Sequence, residues 1–106
     1  METPSKTTTI ELTEGGVYAS RNKEGKFRIT KILALDKSAV HVRYYNEQFD
    51  EVPDSVSTTN LTFSIGHAPV ARDGFLMEER HLIATEQVSD SELEGYKIYL
   101  EAMRGQ

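Results

Sequence analysis

No cysteine occurs in the 106 residues. That excludes disulfides, thiolate zinc sites, iron–sulfur clusters and cysteine nucleophiles, and it suits a reducing compartment, so a cytoplasmic location is expected. No apolar run approaches the roughly 20 residues that a membrane-spanning helix needs. Residues 1–9 (METPSKTTT) contain no apolar segment that reads as an export signal, and with nothing to bury they predict a flexible arm. Net positive charge is lacking as well: 12 Lys and Arg stand against 17 Asp and Glu, giving −5. Such a surface repels phosphate backbones and disfavours general nucleic-acid binding. There is no G-x-S-x-G elbow, Walker loop or dinucleotide-binding glycine pattern. Gly15-Gly16 lacks the following helix and the Lys-Ser/Thr pair that a phosphate cradle requires. The pairs Asp50-Glu51 and Glu78-Glu79 lie in turn-like sequence with no apolar surroundings to raise a pKa, and read as solvated. These absences predict a protein that is not an enzyme and carries no cofactor and no metal.

What is present describes one small domain over residues 10–106. Hydrophobic residues make up 38%, enough for a modest core. Val17 to Ser20 predicts a first strand, and Asn22 to Gly25 a hairpin turn in which Gly25 takes the left-handed position. Lys26 to Leu35 is the strongest strand signal. Phe27, Ile29, Leu33 and Leu35 share one face, and Arg28, Thr30, Ile32 and Ala34 the other. A strand apolar on both faces predicts strong curvature of the kind small barrels use. Lys31 interrupts the apolar face, and a bulge that expels it to solvent is expected.

Asp36 to Ala39 predicts a turn. Val40 to Tyr45 follows, with Val40, Val42 and Tyr44 facing inward and His41, Arg43 and Tyr45 outward. Residues 46–60 read as an acidic loop that Phe49 and Val52 pin to the core, with Pro53 barring a central strand. Leu61 to Ile65 predicts a strand, Gly66 to Gly74 an irregular loop anchored by Phe75 and Leu76, and His81 to Glu86 a short last strand. The C-terminus predicts a helix over 89–104. Ser89 and Glu92 form a capping box, Val88 and Leu93 a hydrophobic staple, and Leu93, Tyr96, Leu100 and Met103 an apolar stripe flanked by Tyr99. Gly95 within that helix permits close packing against a strand.

Charge is unevenly spread. Residues 1–49 carry eight basic and six acidic side chains, residues 50–106 four basic and eleven acidic. Between Arg21 and Arg43, seven basic residues face only Glu24 and Asp36. This segment is either an ordinary solvated sheet face or a basic binding strip. The histidines His41, His67 and His81 show no metal-ligand spacing. His67 stands out because Gly66 and Pro69 constrain its loop, although hydrogen bonding to that loop explains such a residue equally well. Tyr45, with Arg43 and His41, predicts a polar-aromatic strand face, which is either a binding surface or packing against Arg28 or Tyr18. The candidate binding residues are therefore Arg28, His41, Arg43, Tyr45 and His67.

The block from Gly16 to Pro53 (GVYASRNKEGKFRITKILALDKSAVHVRYYNEQFDEVP) resembles a Tudor-like small β-barrel, and is similar to uncharacterised bacterial proteins with the same block and a capped terminal helix. The resemblance implies a mainly β (α+β) fold, with five or six antiparallel strands in a small barrel and one C-terminal helix packed on it. Tyr44, Tyr45 and Phe49 fall short of an aromatic cage, so methyl-group reading is not carried over. The leading expectation is a non-catalytic cytoplasmic protein-binding module, for instance a bacterial immunity or antitoxin-like protein whose partner is another protein. The alternatives are a nucleic-acid or ribosome-associated barrel using the basic 21–43 face, and a small-ligand binder or enzyme at the His67 loop. A strand edge near Val17 leaves monomer or weak dimer open.

Overall fold

The computed structural model describes residues 12–104. The expected arm over 1–9 lies outside the described residues. The elements run β1 (Gly16–Arg21), β2 (Phe27–Leu35), β3 (Ala39–Phe49), a single 3-10 turn (Thr58–Asn60), β4 (Phe63–Ala71), α1 (Arg72–Met77), β5 (His81–Thr85) and α2 (Glu94–Arg104). All five strands pair antiparallel in one sheet ordered β4-β3-β2-β1-β5. Among the described residues, no helix is long and apolar enough to cross a membrane.

The mainly β architecture with a terminal helix is as expected, but the sheet does not close. Among the described residues β4 pairs only with β3, and β5 only with β1, so the sheet is open rather than a closed barrel. The chain between these two edges forms α1 rather than a pairing strand. Its Phe75 is buried in edge-on contact with Tyr18, ring centroids 5.9 Å apart, and fills that end of the core. The edge expected near Val17 is therefore occupied, because Val17 pairs with Ala84 of β5.

The hairpin at 22–25 forms as read. Gly25 sits at φ +81°, and Asn22 Oδ1 accepts the amides of Glu24 and Lys26 at 2.9 and 3.0 Å. β2 feeds two core clusters. Phe27 and Ile29 join Val17, Ala19 and Tyr45, while Ile32 joins Tyr18, Val40, Val42 and Phe75. Phe27 and Ile29 share one face of the strand and Ile32 lies on the other, so alternation alone lets one strand serve both.

β3 runs four residues beyond Tyr45, to Phe49. Its polar end pairs with Phe27 and Arg28 instead of opening into a loop. The stretch 66–71, expected to be irregular, belongs to β4. Pro69 is tolerated there because β4 lies at the sheet edge and loses no ladder partner on its outer side.

Candidate functional site

Two polar clusters and two clefts account for the candidate residues. The first cluster centres on Lys31, whose side chain is 2% exposed. The bulges do not expel it. Its ammonium donates to Glu86 Oε1 at 3.0 Å, the Gln87 carbonyl at 2.9 Å and Glu92 Oε2 at 2.9 Å. All three N–H groups are thus used, which is what a buried ammonium requires. Burial pulls its pKa down, but the hydrogen bonds and charges of Glu92 and Glu86 outweigh this and hold it above the usual lysine range. Burial raises both carboxylates. Thr58 and Lys31 at Glu86, and the Ser89 amide and Lys31 at Glu92, reverse this and hold both below the ordinary range.

Glu92 has a second task. Its Oε1 accepts the Ser89 amide at 2.8 Å, while the Glu92 amide donates to Ser89 Oγ at 3.2 Å. This is the capping box read from the sequence. Residues 90–93 form turns, and the regular helix begins at Glu94. One carboxylate therefore starts the helix and neutralises a lysine on β2.

The second cluster is a chain of three side chains under the same helix. Asp36 Oδ2 lies 2.8 Å from His41 Nε2, and His41 Nδ1 lies 2.9 Å from His67 Nε2. The ionised carboxylate accepts, so His41 Nε2 carries hydrogen, Nδ1 of neutral His41 accepts, and His67 Nε2 donates. The two imidazoles are nearly coplanar across this hydrogen bond, with 8° between their planes and ring centroids 5.1 Å apart. Tyr96 and Tyr99 of α2 close over them, with ring centroids 4.6 and 4.9 Å from His41. Asp36 also caps its own turn, accepting the Ser38 and Ala39 amides at 3.1 and 2.8 Å. The His41 hydrogen bond and then the Ala39 amide hold its carboxyl below the ordinary range. Burial, then the neighbouring His41, lowers the pKa of His67. Gly95 makes the approach possible, since a Cβ there would lie 2.7 Å from His67 Cβ. Chemically, the chain can take up one proton and keep its central hydrogen bond; a second proton sets two donors against each other. Among the described residues, no serine, threonine or lysine is hydrogen-bonded to either ring, and no group of three His, Cys, Asp or Glu side chains is arranged to hold a metal ion.

The candidate residues are not one face. His41 is fully buried and Tyr45 is 2% exposed, against the outward orientation expected for both. Alternation along β3 holds, but both faces of the sheet are covered: Tyr45 belongs to the cluster on which Val52, Val56 and Leu61 pack, and His41 lies beneath Tyr96 and Tyr99 of α2. Tyr18, named as a packing partner for Tyr45, is instead buried against Phe75. Arg43 is half-buried, donating Nε to the Gly66 carbonyl at 3.1 Å and stacking 4.0 Å from the Phe63 ring centroid. His67 lies on β4 rather than in a loop.

Arg43 and Tyr45 line a cleft of about 690 Å³ beside Lys31, together with Thr58, Phe63 and Glu92. Arg28 lines a different cleft of about 750 Å³, walled by Arg21, Arg80, Tyr44, Ile65 and Val70. It lies on the open side of the sheet, between β4 and the segment that leads into β5. Arg80 was missed in the sequence; a basic residue isolated among acidic ones ahead of the last strand was its one available signal. No protein-family model, curated protein or solved structure gives a significant match to the chain.

Proposed function

We propose that this chain is a non-catalytic, cytoplasmic protein-binding module on a Tudor-like scaffold, and that it receives a segment of another protein on the open side of its sheet. The carrying observation is the unclosed sheet: among the described residues β4 is an outermost strand, and beside it lies the 750 Å³ cleft with Ile65 exposed in its wall. An outermost strand offers backbone donors and acceptors that an extended partner segment can pair with. His41 and His67 support the non-catalytic part, because His41 spends both ring nitrogens on Asp36 and His67 and both rings pack against Tyr96 and Tyr99 of α2. An immunity- or antitoxin-like role is a concrete form of this reading. Exposed Asp50, Glu51, Asp54, Glu79, Glu94 and Glu101 support it as a field that steers a basic partner.

The nucleic-acid alternative draws less support. Lys31 is committed to two carboxylates, and Arg28 and Arg43 donate to backbone carbonyls. The small-ligand alternative at His67 draws less as well, since neither cleft described above is lined by His67.

The test is size-exclusion chromatography of the chain with the proteins encoded beside it. Co-elution with amide-exchange protection along residues 63–70 is the expected result. Failure of every such protein to co-elute, or protection confined to α2, overturns the reading.

A further inference from the structure

Three guanidinium groups line the open-side cleft, and among the described residues Glu78 is the one carboxylate that lines it. Arg80 is the most constrained of the three. Its side chain is 6% exposed, donates Nε to the Phe75 carbonyl at 3.1 Å and stacks 3.8 Å from the Phe75 ring centroid. Its acidic neighbour Glu78 is 68% exposed and 3.3 Å away, a pairing that water largely screens. Arg28 is half-buried and donates Nη2 to the Tyr45 carbonyl at 3.1 Å. Arg21 stacks 5.0 Å from the Phe27 ring centroid. Among the described residues, neither Arg21 nor Arg28 forms an ion pair with a carboxylate.

This is the opposite of Lys31, whose charge is matched from within the chain. Partly desolvated guanidinium groups with unused N–H donors favour an anion from outside, and their planar fork fits a carboxylate. The remaining wall is apolar, with Tyr44, Ile65 and Val70. A cleft of about 750 Å³ is far larger than one carboxylate. Side chains of an extended segment alternate in direction, so an acidic residue flanked by apolar ones meets both kinds of wall. The net charge of −5 does not forbid this, because a cleft with low-dielectric walls focuses its own local field.

We infer that the open side takes an extended, acidic segment of a partner protein, with one aspartate or glutamate carboxylate held by Arg28 and Arg80 and its apolar neighbours laid on Ile65 and Val70. The inference rests on the reading of the open side as the docking surface, and adds the chemistry of what docks there.

The test titrates the isotopically labelled full chain, followed by amide NMR, with two blocked peptides: acetyl-TVDVT-amide and its neutral counterpart acetyl-TVNVT-amide. The acidic peptide is expected to move the amides of Arg28, Thr30, Ile65 and Val70, and to bind about tenfold tighter than the neutral one, as a charge-assisted hydrogen bond implies. Arg28→Gln is expected to remove that difference. It leaves the Phe75–Arg80 stack intact, so it remains informative if Arg80→Gln fails to fold. Equal binding of both peptides at these residues overturns the acidic preference while leaving the open side as a docking surface. Shifts confined to the Lys31 cleft, or none with either peptide at millimolar concentration, overturn the inference outright; the docking reading is then decided by co-elution alone. Acetate is the third arm. If it reproduces the full pattern with the affinity of the acidic peptide, a free anion is the ligand and the extended segment is overturned.

Discussion

Two polar tethers hold the terminal helix, and they are built on different terms. The Lys31 tether joins β2 to the start of the helix through a fully buried ammonium whose three donors all have acceptors. The Asp36–His41–His67 tether sits under Tyr96 and Tyr99, a turn and more further along, and depends on which nitrogen holds each proton. The first is insensitive to acidity near neutrality, because its carboxylates are held below and its lysine above their ordinary ranges. The second contains His67, whose pKa burial and the neighbouring His41 pull below the ordinary imidazole value. Burial of charge is therefore tolerated where the count of donors and acceptors closes, and becomes conditional where a single proton decides it.

The largest expected effect separates the tethers by removing the ionic one. Lys31→Met leaves Glu86 and Glu92 facing each other without a cation. Because both carboxylates retain some solvent, a loss of about 3 kcal/mol is expected, at the lower end for breaking a buried pair. Urea denaturation with a fixed slope measures it; a midpoint equal to that of the parent chain would mean that Lys31 is not buried as described.

An intermediate effect probes the second tether through its contact with the helix. By helix propensity alone, Gly95→Ala stabilises by about 1 kcal/mol. The 2.7 Å approach to His67 reverses the sign, and a net loss of about 1–2 kcal/mol is expected from overpacking against β4. A Gly95→Ala variant that melts at a higher temperature than the parent chain would break the close contact on which the comparison depends.

The smallest effect is on acidity. The folded-state pKa of His67 lies below its ordinary value of 6.5, so the unfolded chain binds the proton more readily. The corresponding stability is complete above about pH 6.5 and is lost as pH falls below it. Melting temperature should therefore decline first in this window, and again in the carboxylate range, where Glu86, Glu92 and Asp36 gain protons. His67→Gln is expected to flatten the first decline and leave the second. Two declines of undiminished size in that variant would place the near-neutral titration elsewhere.

The sequence showed local devices well and distant ones badly. The 22–25 hairpin and the Ser89–Glu92 box involve residues close in sequence, and the structure forms both; of the expected Phe75–Leu76 anchor only Phe75 is buried, and Leu76 is exposed. The exposure of His41 and Tyr45 was misread because alternation tells which residues share a face and not whether that face is covered; α2 covers His41, and Val52, Val56 and Leu61 pack on the cluster that holds Tyr45. The second half of β4 was hidden by Gly66 and Pro69, whose penalty vanishes at an edge. Lys31 was half legible. A cation on the apolar face of the strongest strand demands a counter-charge, but its partners stand 55 and 61 residues away. Nor could spacing alone show that His41 and His67, 26 residues apart, share a hydrogen bond.

The ammonium on β2 has a bearing on biosynthesis. When β1, β2 and β3 have emerged from the ribosome, Lys31 is already at the centre of their meander, yet both of its acidic partners have still to emerge. The early strands can assemble only loosely until Glu92 leaves the exit tunnel. Final consolidation of this core is thus timed by its last helix, and a nascent chain stalled before that point presents an incomplete fold to chaperones and proteases.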